Sequence, residues 1–249
     1  MKRFIYYAFI GIALISGFCF GKYLFLKFNT TPVVSDTVIE DAPSGGILSN
    51  FFANNAIAAK EAEKGDLKAK YESAKSKARD TEGWIYVENS HIDYPVMLGD
   101  NNYYLNRTYD GKPSSAGSIF LDQTQTGFGN VSVIHGHNLF NGRMFSDLHK
   151  FYRKETTNQM KYAYIYDGEM GKERKFEVFS TIRVPVTFNI RLNIETIPAM
   201  QEYAKELKNM SVYKYSHELT DKPIMILNTC VSDGSKDHIL VVLQEIENN

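Results

Sequence analysis

Residues 224–246, IMILNTCVSDGSKDHILVVLQEI, contain the pattern from which the fold can be predicted. Two runs of apolar and β-branched residues, 224–229 and 239–246, flank a polar segment with serine, aspartate and glycine. Short runs of this kind, bounded by turn-forming residues, are typical of strands. Cys230 follows the first run, so we expect its sulfur at the rim of a sheet, where functional groups are common. The alternative is a small buried hydrophobic residue.

The same pattern recurs upstream and predicts a mainly β protein. Six further strand-like runs, bounded by Gly, Asn, Asp or Pro, lie at residues 84–87, 91–97, 117–121, 131–135, 161–166 and 176–186. Aromatic residues make up 13% of the chain, which also favours strands. Residues 195–210 have helical composition, with Pro198 near the start, where proline is tolerated. Many short strands with few helices predict a barrel or a sandwich.

The N-terminal end differs from the rest of the chain. Between Arg3 and Lys22 there is no charged residue, and residues 4–20 are almost wholly apolar. About 20 such residues cross a bilayer as a helix, whereas the apolar part of a cleaved signal peptide is usually shorter. We therefore expect residues 1–27 to form an uncleaved signal anchor, with a cleaved signal as the alternative. Positive charge before the segment favours a cytoplasmic N-terminus and an extracellular body.

Two more segments precede the strands. Residues 28–48 contain prolines, glycines and few residues that could be buried, and they predict a linker. Alanine, lysine and glutamate dominate most of residues 49–80, which predicts one or two helices broken near Gly65–Asp66. A spacer that holds the body away from the membrane is the alternative. We expect one domain over residues 49–249, with its strand-rich part at 83–247.

Charge and cysteine content restrict the class of function. Residues 1–27 carry four of the 28 lysines and arginines and none of the 29 acidic residues, so the rest has a formal net charge of −5. A mildly acidic body argues against nucleic acid as a partner. Cys19 lies in the predicted anchor and Cys230 in the body, so we expect no disulfide between them. A single unpaired thiol kept outside the cell is a candidate reactive group.

A histidine pair follows one of the predicted strands. His135 and His137 flank Gly136 after the apolar run 131–134. Three interpretations are open: His137 is the base for a cysteine, the pair binds Zn²⁺ with Cys230 as third ligand, or both histidines are structural. Cysteine chemistry needs a thiolate, which an imidazole favours, and the protonated imidazole can donate to a leaving amine. One cysteine and one histidine are the minimum for this chemistry. Backbone N–H groups or a cation must also stabilise the oxyanion.

Seven short motifs carry a resemblance to a known family. In chain order they are GWI at 83–85, IDYPV at 92–96, NYYL at 102–105, GSIFLD at 117–122, GHN at 136–138, MF at 144–145 and NTC at 228–230. Together they resemble class B sortases, cysteine transpeptidases of Gram-positive bacteria. The resemblance runs from about residue 83 to residue 246, with the anchor and the helical stretch in the expected places. It implies an eight-stranded β-barrel with N-terminal helices and a helix before the last two strands.

The resemblance also implies roles for particular residues. Cys230 matches the family nucleophile, which attacks a Thr–Gly-like or Thr–Asn-like bond of a sorting signal, and His137 matches the family histidine. An amine of a cell-wall peptide then resolves the thioacyl-enzyme and attaches the substrate protein to peptidoglycan. Asn101, Leu105 and Asn228 match positions that line the substrate groove. The implied protein is a single-pass membrane enzyme of the cysteine-peptidase class, facing outward, without a cofactor or metal.

One position departs from the family pattern. The family has an arginine on the last strand, and by spacing His238 takes its place. Imidazole is shorter than guanidinium, offers fewer donors and is largely neutral at pH 7. Lys236, Arg183 or Arg191 could supply a cation instead; without one we expect a slow enzyme, because loss of an oxyanion donor costs about 10²–10³ in rate. The alternative is a weak or inactive module that only binds sorting signals.

Overall fold

The structure is a computed structural model that describes residues 63–152, 160–231 and 233–247. Within these ranges the strands are β1 (Thr81–Val87), β2 (Asp93–Met97), β3 (Ile119–Leu121), β4 (Val131–His135), β5 (Tyr162–Asp167), β6 (Lys172–Pro185), β7 (Ile224–Cys230) and β8 (Asp237–Ile246). The helices in the same ranges are α1 (Leu67–Lys75), α2 (Asn101–Leu105) and α3 (Ile197–Asn209), together with a 3-10 helix at Ser146–Tyr152.

These strands close into one barrel. The order around it is β1-β2-β3-β4-β7-β8-β6-β5, and β5 pairs back onto β1. The pairs β2/β3 and β4/β7 are parallel, and the others are antiparallel. Parallel neighbours need a long crossover, and the one between β4 and β7 contains β5, β6 and α3. The closed barrel, with a helix before its last two strands, confirms the predicted fold.

Both faces of β7 are buried, which explains why its sequence is apolar at consecutive positions instead of alternating. Met225 and Leu227 belong to a cluster to which all eight strands contribute, so this cluster fills the barrel. Ile224 and Ile226 point the other way, into a second cluster with Tyr203 and other residues of α3. Burial of one large apolar side chain contributes about 1.5–3 kcal/mol. The two clusters therefore hold the position of β7 in the sheet from both sides.

Helix α1 lies in the stretch 49–80, for which the sequence predicts helices. It begins after Asp66, whose carboxylate accepts a hydrogen bond from a backbone amide of the first turn (3.0 Å). Leu67 is buried against tyrosines of β1 and β5, and Lys70 donates to Asp93 of β2 (2.6 Å). An apolar contact and an ion pair therefore hold this helix to the barrel.

The predicted anchor at residues 1–27 and the predicted linker at residues 28–48 lie outside the described residues. In the ranges that the structure describes, no helix has both the length and the apolar character needed to cross a bilayer. The domain boundaries drawn from the sequence remain a prediction.

Helix α2 and the beginning of β8 differ from the sequence prediction. Helix α2 has five residues, too few to produce an apolar periodicity, and its N-cap Asp100 accepts a hydrogen bond from the Tyr103 amide (3.1 Å). Strand β8 begins with Asp237 and His238, which pair in register with the neighbouring strands although both are polar. His238 is therefore a strand residue, and it lies directly opposite Cys230.

Gly117 lets α2 pack closely against the segment that follows β4. Its φ is +62°, in the left-handed region that favours glycine. A Cβ atom here would lie 2.7 Å from the carbonyl oxygen of Leu105, 2.8 Å from that of Tyr104 and 3.0 Å from Cδ2 of His137. The end of α2 and His137 can therefore approach each other only if residue 117 lacks a side chain.

We expect Gly117→Ala to destabilise the protein by about 2–4 kcal/mol, because it combines an unfavourable φ with steric overlap. Gly142→Ala is the matched control: Gly142 also has a positive φ, +75°, but nothing lies within 4 Å of an added Cβ. It should cost only about 1–2 kcal/mol. Urea unfolding of the full-length variants measures both values, and equal losses would show that the close contacts at Gly117 contribute nothing.

Candidate active site

The site residues predicted from the sequence line a single cavity beside the end of β7. The cavity has a volume of about 290 Å³. Its lining contains the predicted catalytic and substrate-binding residues, namely Cys230, His137, His238, Asn101, Leu105 and Asn228, together with Phe120, His135, Gly136 and Thr229. The structure thus brings all six predicted residues together, while the roles assigned to them remain predictions.

The pleat of neighbouring strands brings the polar residues to one face of the sheet. Cys230 pairs with His238 across β7 and β8, and Asn228 pairs with His135 across β7 and β4. Residues two apart on a strand point to the same face, and directly opposed residues share a face. The four side chains therefore lie on the face that α3 covers further along, just beyond the last apolar residues of that cluster.

The backbone of Cys230 is held at the end of β7. Its carbonyl oxygen accepts a hydrogen bond from Nδ2 of Asn138 (3.1 Å) and lies 3.0 Å from Nε2 of His149. The residue as a whole is exposed, yet partial burial of the thiol against the cavity wall raises the pKa of Cys230 above its ordinary value. The thiol is therefore protonated at neutral pH and needs a base to become a nucleophile.

His137 has one ring nitrogen available for proton transfer. Its Nε2 lies 2.8 Å from the carbonyl oxygen of Leu105. Because a carbonyl oxygen only accepts, Nε2 carries the hydrogen, and the lone pair of the neutral ring is on Nδ1. Leu105 thus contributes to the site through its backbone, by fixing the tautomer of His137.

His238 contacts the thiol directly. Its Nε2 lies 3.9 Å from Sγ of Cys230, within reach of a hydrogen bond to sulfur, and its Nδ1 lies 2.8 Å from Oδ1 of Asn228. Burial lowers the pKa of His238 below its ordinary value, and the neighbouring His135 lowers it further, while Asp237 opposes both effects. His238 is therefore neutral at pH 7, unlike the arginine that the resemblance implies at this position.

A row of hydrogen-bonded side chains continues from the amide of Asn228. Its Nδ2 lies 3.0 Å from Nδ1 of His135, and Nε2 of His135 lies 3.0 Å from Oδ2 of Asp122. The bond from His135, helped by the backbone and hydroxyl of Thr124, holds the pKa of Asp122 well below its usual range although burial acts against it. Asn101 also donates to this carboxylate through Nδ2 (3.3 Å). Asp122 is therefore an anion at neutral pH.

Asp122 and His149 are two polar residues of the site for which the sequence predicts no role. Asp122 directly follows β3 and ends the motif GSIFLD. This position could have identified it from the sequence, because polar residues at strand ends are often functional. His149 lies in the 3-10 helix, and no sequence pattern distinguishes it from other polar residues.

The three cations considered as replacements for the family arginine lie elsewhere. Arg183 pairs with two aspartates of the segment 233–237, at 2.7 Å each, and Arg191 pairs with Glu206. Lys236 is exposed. Of the described residues, those that line the cavity include no lysine or arginine. The site therefore contains imidazoles where the resemblance implies a guanidinium.

The arrangement does not favour the zinc interpretation. Both ring nitrogens of His135 already have hydrogen-bond partners, and Nε2 of His137 is bonded to a carbonyl oxygen. Across residues 63–152, 160–231 and 233–247, no three His, Cys, Asp or Glu side chains are grouped so that they could hold a metal ion. The chemistry that the arrangement does favour is proton transfer combined with attack by sulfur.

Comparison of the sequence with known proteins gives a consistent result. Residues 85–246 match the sortase family, described as a sortase domain. Sortase B of Listeria monocytogenes is 27% identical, over 92% of this chain and 88% of that protein. Sortase B of Staphylococcus aureus is 28% identical, over 66% of this chain and 68% of that protein.

Comparison with solved structures agrees with the sequence matches. Sortase B of Clostridium perfringens superposes with a TM-score of 0.65 at 30% identity, and the match covers 71% of this chain and 99% of that one. The family match alone covers the barrel from Ile85 within β1 to Ile246 at the end of β8. The chain therefore belongs to the sortase family of transpeptidases, within its class B.

Proposed function

We propose that the protein cleaves a sorting-signal peptide after threonine through a thioacyl-enzyme and joins the acyl group to an amine of a cell-wall peptide. The observation that carries this proposal is the thiol of Cys230, which lies 3.9 Å from one imidazole and shares a cavity with another. The resemblance to class B sortases supports cleavage after threonine and an amine as the acceptor of the acyl group. No cofactor is needed, because sulfur and imidazole supply the nucleophile and the proton transfers.

Cys230 and His137 both act in each of the two half-reactions. In the first, the thiol loses its proton to an imidazole, and sulfur attacks the threonine carbonyl. His137, protonated on Nδ1, donates to the leaving amine as the peptide bond breaks. In the second, the acceptor amine attacks the thioester and gives its proton to His137, and the thiolate leaves. His238 takes the place of the family arginine beside the sulfur.

The substrate lies in the cavity with its threonine carbonyl over the thiol. Asn101, Leu105 and Asn228 line the cavity, and we assign them to the binding of the sorting signal. A volume of about 290 Å³ lies at the small end of ligand pockets. It suits the few side chains of an extended peptide next to the scissile bond.

Residues 1–27 anchor the protein in the cell membrane, and the domain at residues 49–249 faces outward. This placement puts the site where secreted proteins with sorting signals meet the amines of peptidoglycan. The partners are therefore the sorting signal, the peptidoglycan amine and the membrane. The formal net charge of −5 outside the anchor argues against nucleic acid.

A second candidate function is a module that binds sorting signals with little or no turnover. The observation that favours it is His238, a neutral side chain where the family has a permanent cation. This function predicts peptide binding without a thioacyl intermediate, and mass spectrometry of the protein incubated with peptide distinguishes the two.

The nucleophile is tested with the full-length protein, kept soluble in a mild detergent, and a library of fluorogenic peptides with a central Thr–Gly or Thr–Asn bond. We expect cleavage of the peptide and a thioacyl adduct on Cys230. Hydroxylamine, added as an acceptor amine, should speed the release of the acyl group from Cys230. Cys230→Ala should abolish all three, because the attacking sulfur is gone. Cys19→Ala is the matched control and should change none of them. Cleavage that survives Cys230→Ala would refute the assignment of the nucleophile.

The raised pKa of Cys230 predicts how fast its thiol reacts at each pH. Alkylation by iodoacetamide should increase about tenfold per pH unit and continue to increase beyond pH 9, because only the thiolate reacts. Mass spectrometry of the peptide that contains Cys230 follows the rate separately from Cys19. A rate that is already constant at pH 7 would indicate a resting thiolate paired with a cation, contrary to this expectation.

Replacement of His238 tests whether it does the work of the arginine. His238→Ala should lower kcat by about 10²–10³, as expected for the loss of a group that stabilises the oxyanion. His238→Arg should keep kcat near or above the original value and shift the alkylation curve of Cys230 to lower pH, because a guanidinium stabilises the thiolate. A collapse of kcat in His238→Arg, with the melting temperature unchanged, would mean that the site is built differently from the family's.

A further inference from the structure

With a neutral His135 and the amide of Asn228 oriented as in the structure, the row of side chains behind His238 has one consistent arrangement of protons. A carboxylate only accepts, so Nε2 of His135 donates to Asp122, and Nδ1 of the same ring is left as an acceptor. The amide nitrogen of Asn228 donates to that Nδ1, which turns its oxygen toward His238. Nδ1 of His238 therefore carries a hydrogen and donates to Oδ1 of Asn228.

This arrangement decides what His238 offers to the thiol. A neutral imidazole has one N–H and one lone pair. With the hydrogen on Nδ1, the lone pair is on Nε2, which lies 3.9 Å from Sγ of Cys230. In the resting state Nε2 can accept the thiol's proton, and it cannot donate.

The row is part of the built interior and not a chance contact between mobile surface groups. Asn228 is 5% exposed, and the side chains of His135 and Asp122 are 21% and 15% exposed. The ring of His135 packs against Phe120, with centroids 5.4 Å apart. Strand pairing fixes Asn228 opposite His135, so their hydrogen bond follows from the register of β4 and β7.

We propose that Asp122, His135 and Asn228 are positioning residues that hold His238 in the tautomer that takes the proton of Cys230, so that His238 is a cation only from the attack of sulfur until sulfur is released from the acyl group. This inference rests on the proposed transpeptidase function and deepens it. The proton of the Cys230 thiol then gives His238 the positive charge that an arginine carries in the family.

The proton balance of the two half-reactions closes. As sulfur attacks the threonine carbonyl, the S–H bond breaks, its electron pair forms the S–C bond, and the proton goes to Nε2 of His238. The resulting imidazolium has N–H groups on both nitrogens. The Nδ1–H group keeps its hydrogen bond to Oδ1 of Asn228, and the Nε2–H group faces the sulfur and the developing oxyanion. When the thiolate leaves in the second half, it recovers this proton. His137 enters the first half protonated on Nδ1, gives that proton to the leaving amine and regains one from the entering amine, so both histidines end the cycle as they began it.

The tautomer of His238 can be observed without any substrate. In ¹⁵N spectra of full-length, histidine-labelled protein at pH 8, we expect His238 to be protonated on Nδ1, with its signals identified by their loss in His238→Gln. His135→Phe keeps a ring against Phe120 but removes both nitrogens, so the amide of Asn228 can turn over. His238 should then be a mixture of both tautomers. His135→Asn, whose amide oxygen takes the place of Nδ1, should restore the original tautomer.

Kinetics with the cleavable peptide provide the second measurement. His135→Phe should lower kcat at least about tenfold with KM changed less than about twofold, because a wrong histidine tautomer impairs the chemical step more than binding. His135→Asn should recover most of kcat. His91→Phe is the matched control, since His91 also pairs with an aspartate, Asp147 at 2.9 Å, but away from the cavity. It should leave kcat unchanged.

The outcomes separate this inference from the proposed function. If His238 of the unaltered protein carries its hydrogen on Nε2, or if His135→Phe leaves both the tautomer and kcat as in His91→Phe, the positioning role is refuted. If no peptide is cleaved at all, the proposed function fails, and the spectra of His238 still decide the positioning role. A loss of kcat in His135→Phe that His135→Asn does not reverse, with the tautomer unchanged, would also refute it.

Discussion

The pairing of β7 with β4 on one side and with β8 on the other is the constraint on which the site depends. Apolar side chains on both faces of β7 are buried, one set inside the barrel and the other beneath α3. With the register fixed in this way, Asn228 and Cys230 point to one face, and their partners His135 and His238 lie opposite them. A slip by one residue would turn every side chain of the strand to the other face. The chemistry therefore rests on packing between residues that never meet the peptide.

A site that contains imidazoles in place of a guanidinium has a different charge balance at rest. A permanent cation in a half-buried position must be paired or solvated, at a cost in desolvation, whereas a neutral imidazole carries no such cost. The thiol of Cys230 is protonated as well, since burial raises its pKa. Thiolates oxidise far more readily than thiols. An exposed, unpaired cysteine is thus better protected from oxidation in a site that generates its thiolate only during reaction.

The parts of the structure that sequence predicts are those with local signals. Each of the eight β-branched or aromatic runs became a strand, and the segment at 195–210 became α3. Helix α2 is too short to have a periodicity, and the polar Asp237 and His238 gave no local sign that they begin a strand. The contact between His135 and Asn228 spans 93 positions and a parallel pairing, so no local pattern contains it. The residue pattern alone makes Cys230 and His137 candidates, and the family motifs give them roles. The hydrogen positions on the histidines follow only from their partners.

The register of β7 and β8 does not depend on the connecting segment, residues 231–236, alone. Buried pairs further along them, such as Ile226 opposite Val242, hold that alignment. Insertions or deletions in the segment can therefore reshape the surroundings of the sulfur while His238 stays opposite Cys230. Sequence changes in this segment, natural or engineered, can alter peptide selectivity without altering the reaction chemistry.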